Sequence, residues 1–271
     1  MLKAYQNLLD GELEYRGDHA SQIKDPIGIG AVGGSGTRVL LQIMAASGVA
    51  MAAPINQAGD AIEWPPLKQL LDDPRLAELP RERLLPAILG VFEGLLARRR
   101  DTLNMTGRAG WKVPETFHWL AELSQFFPDF QYVHLVRHGL DMAYSGNQNQ
   151  VEKWAPRLNL DIDYDQRGKI SPRSKLEYWL RANEQTLRVA GQYLPGRMLV
   201  VRFEDLCNAP GPELERILAF LDLHPAQTDR EALARVVKQP RSVGRYRRHD
   251  WRNEFSASQL ARLAALGYPD P

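Results

Sequence analysis

The residues best able to do chemistry fall into three clusters. The first is Val32-Gly33-Gly34-Ser35-Gly36-Thr37-Arg38, which stands between an apolar run beginning at Pro26 and an apolar-periodic stretch ending at Met44. Backbone N–H groups at a tight glycine turn and at a helix N-terminus converge on one point, and the helix dipole adds partial positive charge there. This junction is a phosphate cradle. The second cluster, Arg137-His138-Gly139-Leu140-Asp141-Met142-Ala143-Tyr144-Ser145, follows an apolar run over residues 130–136. If a helix starts near Gly139, Ser145 lies about two turns along it, so a strand-end arginine and a helical hydroxyl grip one anion from two sides. Asp141 suits the first helical turn or the orientation of Arg137. In the third cluster Lys238, Arg241, Arg245, Arg247, Arg248 and Arg252 crowd together, with Tyr246 and Trp251 among them. A solvated basic loop and a phosphate-binding loop both fit that composition.

Two familiar glycine motifs nearly fit the first cluster. Gly28-x-Gly30-x-x-Gly33 satisfies a dinucleotide fingerprint, which also needs an acidic residue about 20 positions on to hold a ribose hydroxyl. Residues 50–58 supply Met, Ala, Pro, Asn and Gln instead. A nucleotide-hydrolase P-loop needs Lys followed by Ser or Thr after its last glycine, to bridge phosphates and bind magnesium. Here Gly36 is followed by Thr37 and Arg38.

The elements that must carry these clusters alternate. Residues 27–32, 111–113, 130–136 and 198–202 read as strands, 36–47 as a helix with Val39, Leu40, Ile43 and Met44 on one face, and 172–193 as a long amphipathic helix. A loop over 52–66 precedes helical segments that run to about Arg100, and a polar stretch spans 147–171. This pattern predicts an α/β fold, a mostly parallel central sheet flanked by helices. With 271 residues, 44% hydrophobic and 25% charged, the chain can build one large core, so a single domain over 1–271 is expected. The net charge of +1 gives no reason to expect nucleic acid or an anionic membrane as partner. Cys207 is the only cysteine, which rules out an intrachain disulfide and a thiolate metal cluster. No apolar run approaches a membrane span and no secretory h-region is visible, so a cytoplasmic location is expected.

Taken together, these residues resemble the sulfotransferases that use 3'-phosphoadenosine 5'-phosphosulfate (PAPS), of the soluble bacterial type. Residues 32–38 are similar to the family's 5'-phosphosulfate loop, usually Pro-Lys/Arg-Ser-Gly-Thr-Thr. Arg137, Asp141 and Ser145 match the spacing of its 3'-phosphate motif, R-x-P-x-D-x-x-x-S. Val201-Arg202-Phe203-Glu204-Asp205-Leu206 is similar to R-Y-E-D-L, and Ser242-Val243-Gly244-Arg245-Tyr246-Arg247 resembles the loop that closes over the 3'-phosphate. The resemblance implies a P-loop-like sulfotransferase fold and sulfuryl transfer from PAPS to a hydroxyl or amine of a small molecule, glycan or peptide, leaving adenosine 3',5'-bisphosphate (PAP), with no metal required. It implies cosubstrate contacts from Gly33, Gly34, Ser35, Gly36, Thr37, Arg38, Arg137, Ser145, Arg202, Ser242 and Arg245. Lys112 resembles the lysine that stabilises the bridging oxygen.

The departures are specific. Gly34 stands where the loop cation is usual, and Arg38 replaces the second Thr and offers a cation from inside the helix. Gly139 replaces Pro, and Phe203 replaces Tyr. For the base that takes the acceptor's proton, position ranks Asp60 first, then Glu63, Glu115 and His118; His118 can equally be a packing residue. Trp64, Trp154 and Tyr164 are candidates to stack on an acceptor. A small-molecule P-loop kinase and a non-catalytic PAPS- or PAP-binding protein are the alternatives.

Overall fold

In β1 (Ile27–Ala31) side-chain alternation sorts residues onto two faces. Ile27, Ile29 and Ala31 enter one apolar core together with Leu40, Ile43 and Met44 of helix α1 (Arg38–Ala46). Each buried Ile, Leu or Met side chain among them contributes about 1.5–3 kcal/mol. Gly28 and Gly30 face the other way, where a Cβ on Gly28 would lie 2.8 Å from the Phe130 ring and one on Gly30 2.4 Å from the Tyr132 hydroxyl. Two of the three apparent dinucleotide glycines therefore make room for aromatic rings.

A computed structural model of the chain describes residues 23–53, 55–61, 74, 81–147 and 149–269. After α1 come β2 (Ala50–Met51), α2 (Arg81–Thr102), β3 (Ala109–Lys112), a 3₁₀ turn at Pro114–Trp119, α3 (Leu120–Phe126) and β4 (Gln131–Val136). Next are α4 (Gly139–Ala143), α5 (Asn149–Trp154), α6 (Pro172–Tyr193) and β5 (Met198–Arg202). The chain continues through α7 (Phe203–Asn208), α8 (Pro210–Leu221), α9 (Gln227–Val236), α10 (Trp251–Glu254) and α11 (Ala257–Ala265). The long helix begins where its sequence says it should, because Pro172 occupies the first position and the Ser171 hydroxyl accepts from Ser174 N–H at 3.1 Å.

The strands form one parallel sheet in the order β2-β3-β1-β4-β5. The chain steps from β1 towards β2 and β3 on one side, then crosses to β4 and β5 on the other. A crevice therefore opens at the C-terminal end of β1, the place where open α/β sheets bind ligands. A second apolar core on the opposite face joins Trp111, Phe130 and Tyr132 to Phe92 of α2 and Trp179 of α6. Two boundaries differ from expectation. Helix α1 starts only at Arg38, because Gly36 and Thr37 still belong to the turn. Helix α4 ends at Ala143, where Ser145 N–H closes a tight turn onto Met142 C=O at 3.0 Å, so Ser145 stands beyond the helix. Among the described residues no helix is long and apolar enough to cross a membrane.

Candidate active site

The loop between β1 and α1 holds its shape through backbone and side chain together. Gly34 and Gly36 have φ of +90° and +97°, a region that side-chain-bearing residues rarely adopt. At Gly36 space is also short, since a Cβ would lie 2.6 Å from the Phe203 ring. The buried Ser35 hydroxyl donates to Val32 C=O at 2.5 Å, so it stitches the turn and its proton is already used. Thr37 makes no side-chain cap to α1. Among the described residues the N–H groups of residues 34–37 have no partner. They are the unspent donors of a helix N-terminus, the arrangement that holds phosphate oxygens.

This loop forms one wall of a cleft of about 520 Å³. The other walls bring in Arg38, Asp60, Lys112, Glu115 and α5. Lys112 ends β3 with its side chain 1% exposed. Its ammonium donates to Ala58 C=O at 2.7 Å and to Asp60 Oδ1. Burial lowers the Lys112 pKa below the ordinary lysine value, and Asp60 opposes that shift. Asp60 is itself placed by a tight turn, in which Asn56 Oδ1 accepts from the N–H groups of Ala58 and Asp60, and Asn56 Nδ2 donates to Asp60 Oδ2 at 3.1 Å. Ala61 N–H bonds to Lys112 C=O at 3.0 Å, which fastens this turn to the end of β3. Two residues distant in sequence thus meet as one ion pair at the cleft.

A second cationic group lies at the end of β4. Arg137 is buried, donates from one terminal nitrogen to the Ser242 hydroxyl at 2.9 Å, and lies 3.7 Å from Asp141. Its Nε is buried without a partner, an unspent donor in a group that costs free energy when left unpaired. Asp141 has a different main task from the one its sequence position suggests. Its two oxygens accept from Gly244 N–H at 2.8 Å and Tyr246 N–H at 3.3 Å, which pins the basic C-terminal loop beside Arg137. Arg245 on that loop is held below its usual pKa, first by burial and then by the like charge of Arg137. Two guanidiniums kept close together make a site that an anion relieves. Phe203 links the two ends, with its ring against Gly36 and 5.3 Å from the Arg137 guanidinium carbon.

Other candidates lie elsewhere. Glu115 faces the cleft and pairs with Lys153 at 3.1 Å. His118 does not line it: the ring is wedged between Phe117 and Trp154 at 4.1 and 4.6 Å, and burial pushes its pKa down to about 3. Packing won there, because a neutral ring fills the aromatic core better than it serves a distant acceptor. Arg202 faces a separate cavity of about 380 Å³, its guanidinium 5.6 Å from the Tyr268 ring, and does not join Arg137 or Ser145. Trp154 lines the cleft but is 1% exposed, while Tyr164 is 57% exposed and away from it. Glu63 and Trp64 lie outside the described residues. The sequence places Asn56 on the loop that carries Asp60 but assigns no role to it, to Asn147 or to Gln150, because neutral amides carry no pattern until the fold places them.

Among the described residues no group of three or more His, Cys, Asp or Glu is placed to hold a metal ion. No curated protein sequence is significantly similar to the chain. Among solved structures, the sulfotransferase domain of the Synechococcus PCC 7002 olefin synthase superposes with a TM-score of 0.56 at 17% identity, covering 96% of this chain and 100% of that one. The sulfotransferase domain from the curacin biosynthetic pathway gives a TM-score of 0.52 at 16% identity, covering 93% of this chain and 100% of that one. Both likenesses show the fold. The model of the sulfotransferase family matches residues 26–227, more than half of the sequence, with the β1–α1 loop, Lys112 and Arg137 inside it. The chain belongs to the sulfotransferase family.

Proposed function

We propose that this protein transfers a sulfuryl group from PAPS to a hydroxyl or amine, with the two cationic groups holding opposite ends of the cosubstrate. One observation carries the reading: the unpaired N–H groups of residues 34–37, Lys112 and Asp60 meet in a single cleft, and Arg137 keeps a buried donor unspent at the end of the adjacent strand. The donor set fits a doubly phosphorylated nucleotide. When bound, PAPS supplies a sulfuryl group on a phosphate–sulfate anhydride whose cleavage leaves PAP.

The residues divide the work by position. Backbone N–H groups of 34–37 hold the phosphosulfate end, while Arg137, Ser145, Ser242 and Arg245 hold the 3'-phosphate. Lys112 and Arg38 oppose the negative charge that develops on the leaving and equatorial oxygens, and a buried ammonium does so more strongly than one in water. Asp60 takes the acceptor's proton, since it lines the cleft and is oriented by Asn56 and Lys112. The acceptor, a small molecule, glycan or peptide, enters the cleft beside Asp60, where Asn56, Glu115 and Lys153 are also among the lining residues.

Calorimetry with PAP and ATP, followed by turnover of labelled PAPS against a pooled acceptor library, tests the proposal. We expect PAP to bind far more tightly than ATP, turnover to persist in EDTA, and Asp60→Asn to lower turnover by about 10²–10⁴ while PAP still binds. Retained turnover in Asp60→Asn moves the base to Glu115. PAP binding without any PAPS consumption makes the chain a binding protein instead.

A further inference from the structure

Gly34 leaves the phosphosulfate loop without a cation of its own, and its backbone explains why none stands there. At φ of +90° a lysine would be strained. The place its Cβ would take is 3.7 Å from Asn147 Nδ2. Asn147 and Gln150 line the same cleft as Gly33 and Gly34.

The orientation of both amides follows from their partners. Gly33 N–H donates to Gln150 Oε1 at 2.5 Å, and Asn149 N–H donates to Asn147 Oδ1 at 3.3 Å. A backbone N–H can only donate, so each amide must turn its oxygen to the backbone and keep its NH₂ group free. Neither NH₂ group has a partner among the described residues. The residues on either side of them are fastened too. Asn147 N–H bonds to the Ser145 hydroxyl at 3.3 Å, Lys175 donates to Ser145 C=O at 3.1 Å, and Lys153 pairs with Glu115 at 3.1 Å. Gly33 is matched to this arrangement, because a Cβ there would lie 2.7 Å from Gln150 Cδ. A proline at that position would have no N–H to offer.

We infer that Asn147 and Gln150 are binding residues for the 5'-phosphosulfate end of the cosubstrate, two neutral amide donors that act where the loop lacks its cation. The assignment rests on the PAPS reading above. It also gives Asn147 and residues 149–154 a purpose, since they lie between the 3'-phosphate residue Ser145 and the phosphosulfate loop.

The test compares two ligands by calorimetry, PAP and adenosine 3'-monophosphate, which lacks the 5'-phosphate. Asn147→Ala and Gln150→Ala are each expected to weaken PAP binding about tenfold and to leave adenosine 3'-monophosphate within about twofold, as the loss of one hydrogen bond to a charged group implies. Gln150→Glu keeps the acceptor for Gly33 N–H but replaces the donor by an anion, so it should weaken PAP more than Gln150→Ala does. Unchanged PAP affinity in both alanine variants overturns the assignment. So does an equal loss for both ligands, or a Gln150→Glu variant that binds PAP like the wild type, since either reduces the residues to a structural latch. A wild-type protein that binds neither ligand removes the PAPS reading itself, and the assignment with it.

Discussion

Lys112 and Asp60 show how a single pair sets the character of the site. The ammonium is taken almost wholly out of water, which lowers its proton affinity, and the carboxylate beside it restores the charged form. Deleting one member of such a pair leaves the other uncompensated at about 3–5 kcal/mol, so alanine variants confuse chemistry with folding. Lys112→Met retains the length and apolar stem without the charge and opens no cavity, and the Asp60 side chain left behind is 25% exposed, so water reaches its carboxylate. It is expected to lower PAPS turnover by about 10²–10³, with PAP affinity changed by only a few-fold and the protein still folded by circular dichroism. Turnover above a tenth of wild type would remove Lys112 from the chemistry.

At the scale of elements, the sheet delivers loops to one edge and small contacts then lock them. Asp141 is the lock for the C-terminal loop, since its carboxylate holds Gly244 and Tyr246 and so keeps Ser242 and Arg245 against Arg137. Hydrogen bonds to a charged group are worth about 1.5–3 kcal/mol each, enough to govern whether this loop stays docked. Asp141→Ala should weaken PAP at least about tenfold and speed trypsin cleavage after Arg245, Arg247 and Arg248, read by mass spectrometry. Cleavage at the wild-type rate would show that the loop is held by other contacts. The turn between β1 and α1 is locked from the other side by Phe203, whose ring leaves no room for a side chain at Gly36.

For the whole molecule, the buried histidines contribute to the response to acid. Burial is the main cause that pushes His118 down to about 3 and His134 and His138 to about 4, against an ordinary value of 6.5. His134 Nε2–H donates to Asn183 Oδ1 at 2.9 Å, a bond that opposes the effect of burial, and the Tyr132 hydroxyl donates to Nδ1 at 2.9 Å. The unfolded chain binds protons on these rings from pH 6.5 downwards while the folded chain does not, so stability falls as pH drops from 6.5 to about 4. With about 1.4 kcal/mol for each tenfold difference in proton affinity, the loss is on the order of several kcal/mol. Chemical denaturation at a series of pH values should show it, and His134→Asn should reduce the slope over that window. A flat profile between pH 7 and 4 would contradict the burial of these rings.

Much was legible from the residues alone, because local chemistry has local signatures. A glycine turn before an amphipathic helix, an arginine after a buried apolar run, and alternating strand and helix periods each follow from backbone geometry within about ten residues. Those signals were enough to place the glycine loop, Arg137 and Lys112 at strand ends and to predict a parallel α/β sheet. Assembly required the third dimension. The meeting of Asp60 with Lys112, the grip of Asp141 on the C-terminal loop and the turn of Arg202 into another cavity depend on contacts between distant parts of the chain. The same is true of His118, which a sequence offers as a base and packing converts into a core ring. Sequence by itself determined the kinds of groups present and the elements that carry them, since those depend on neighbours along the chain. Only the tertiary structure decided which groups share one cleft, because that is settled by strand order and by the competition for burial among side chains.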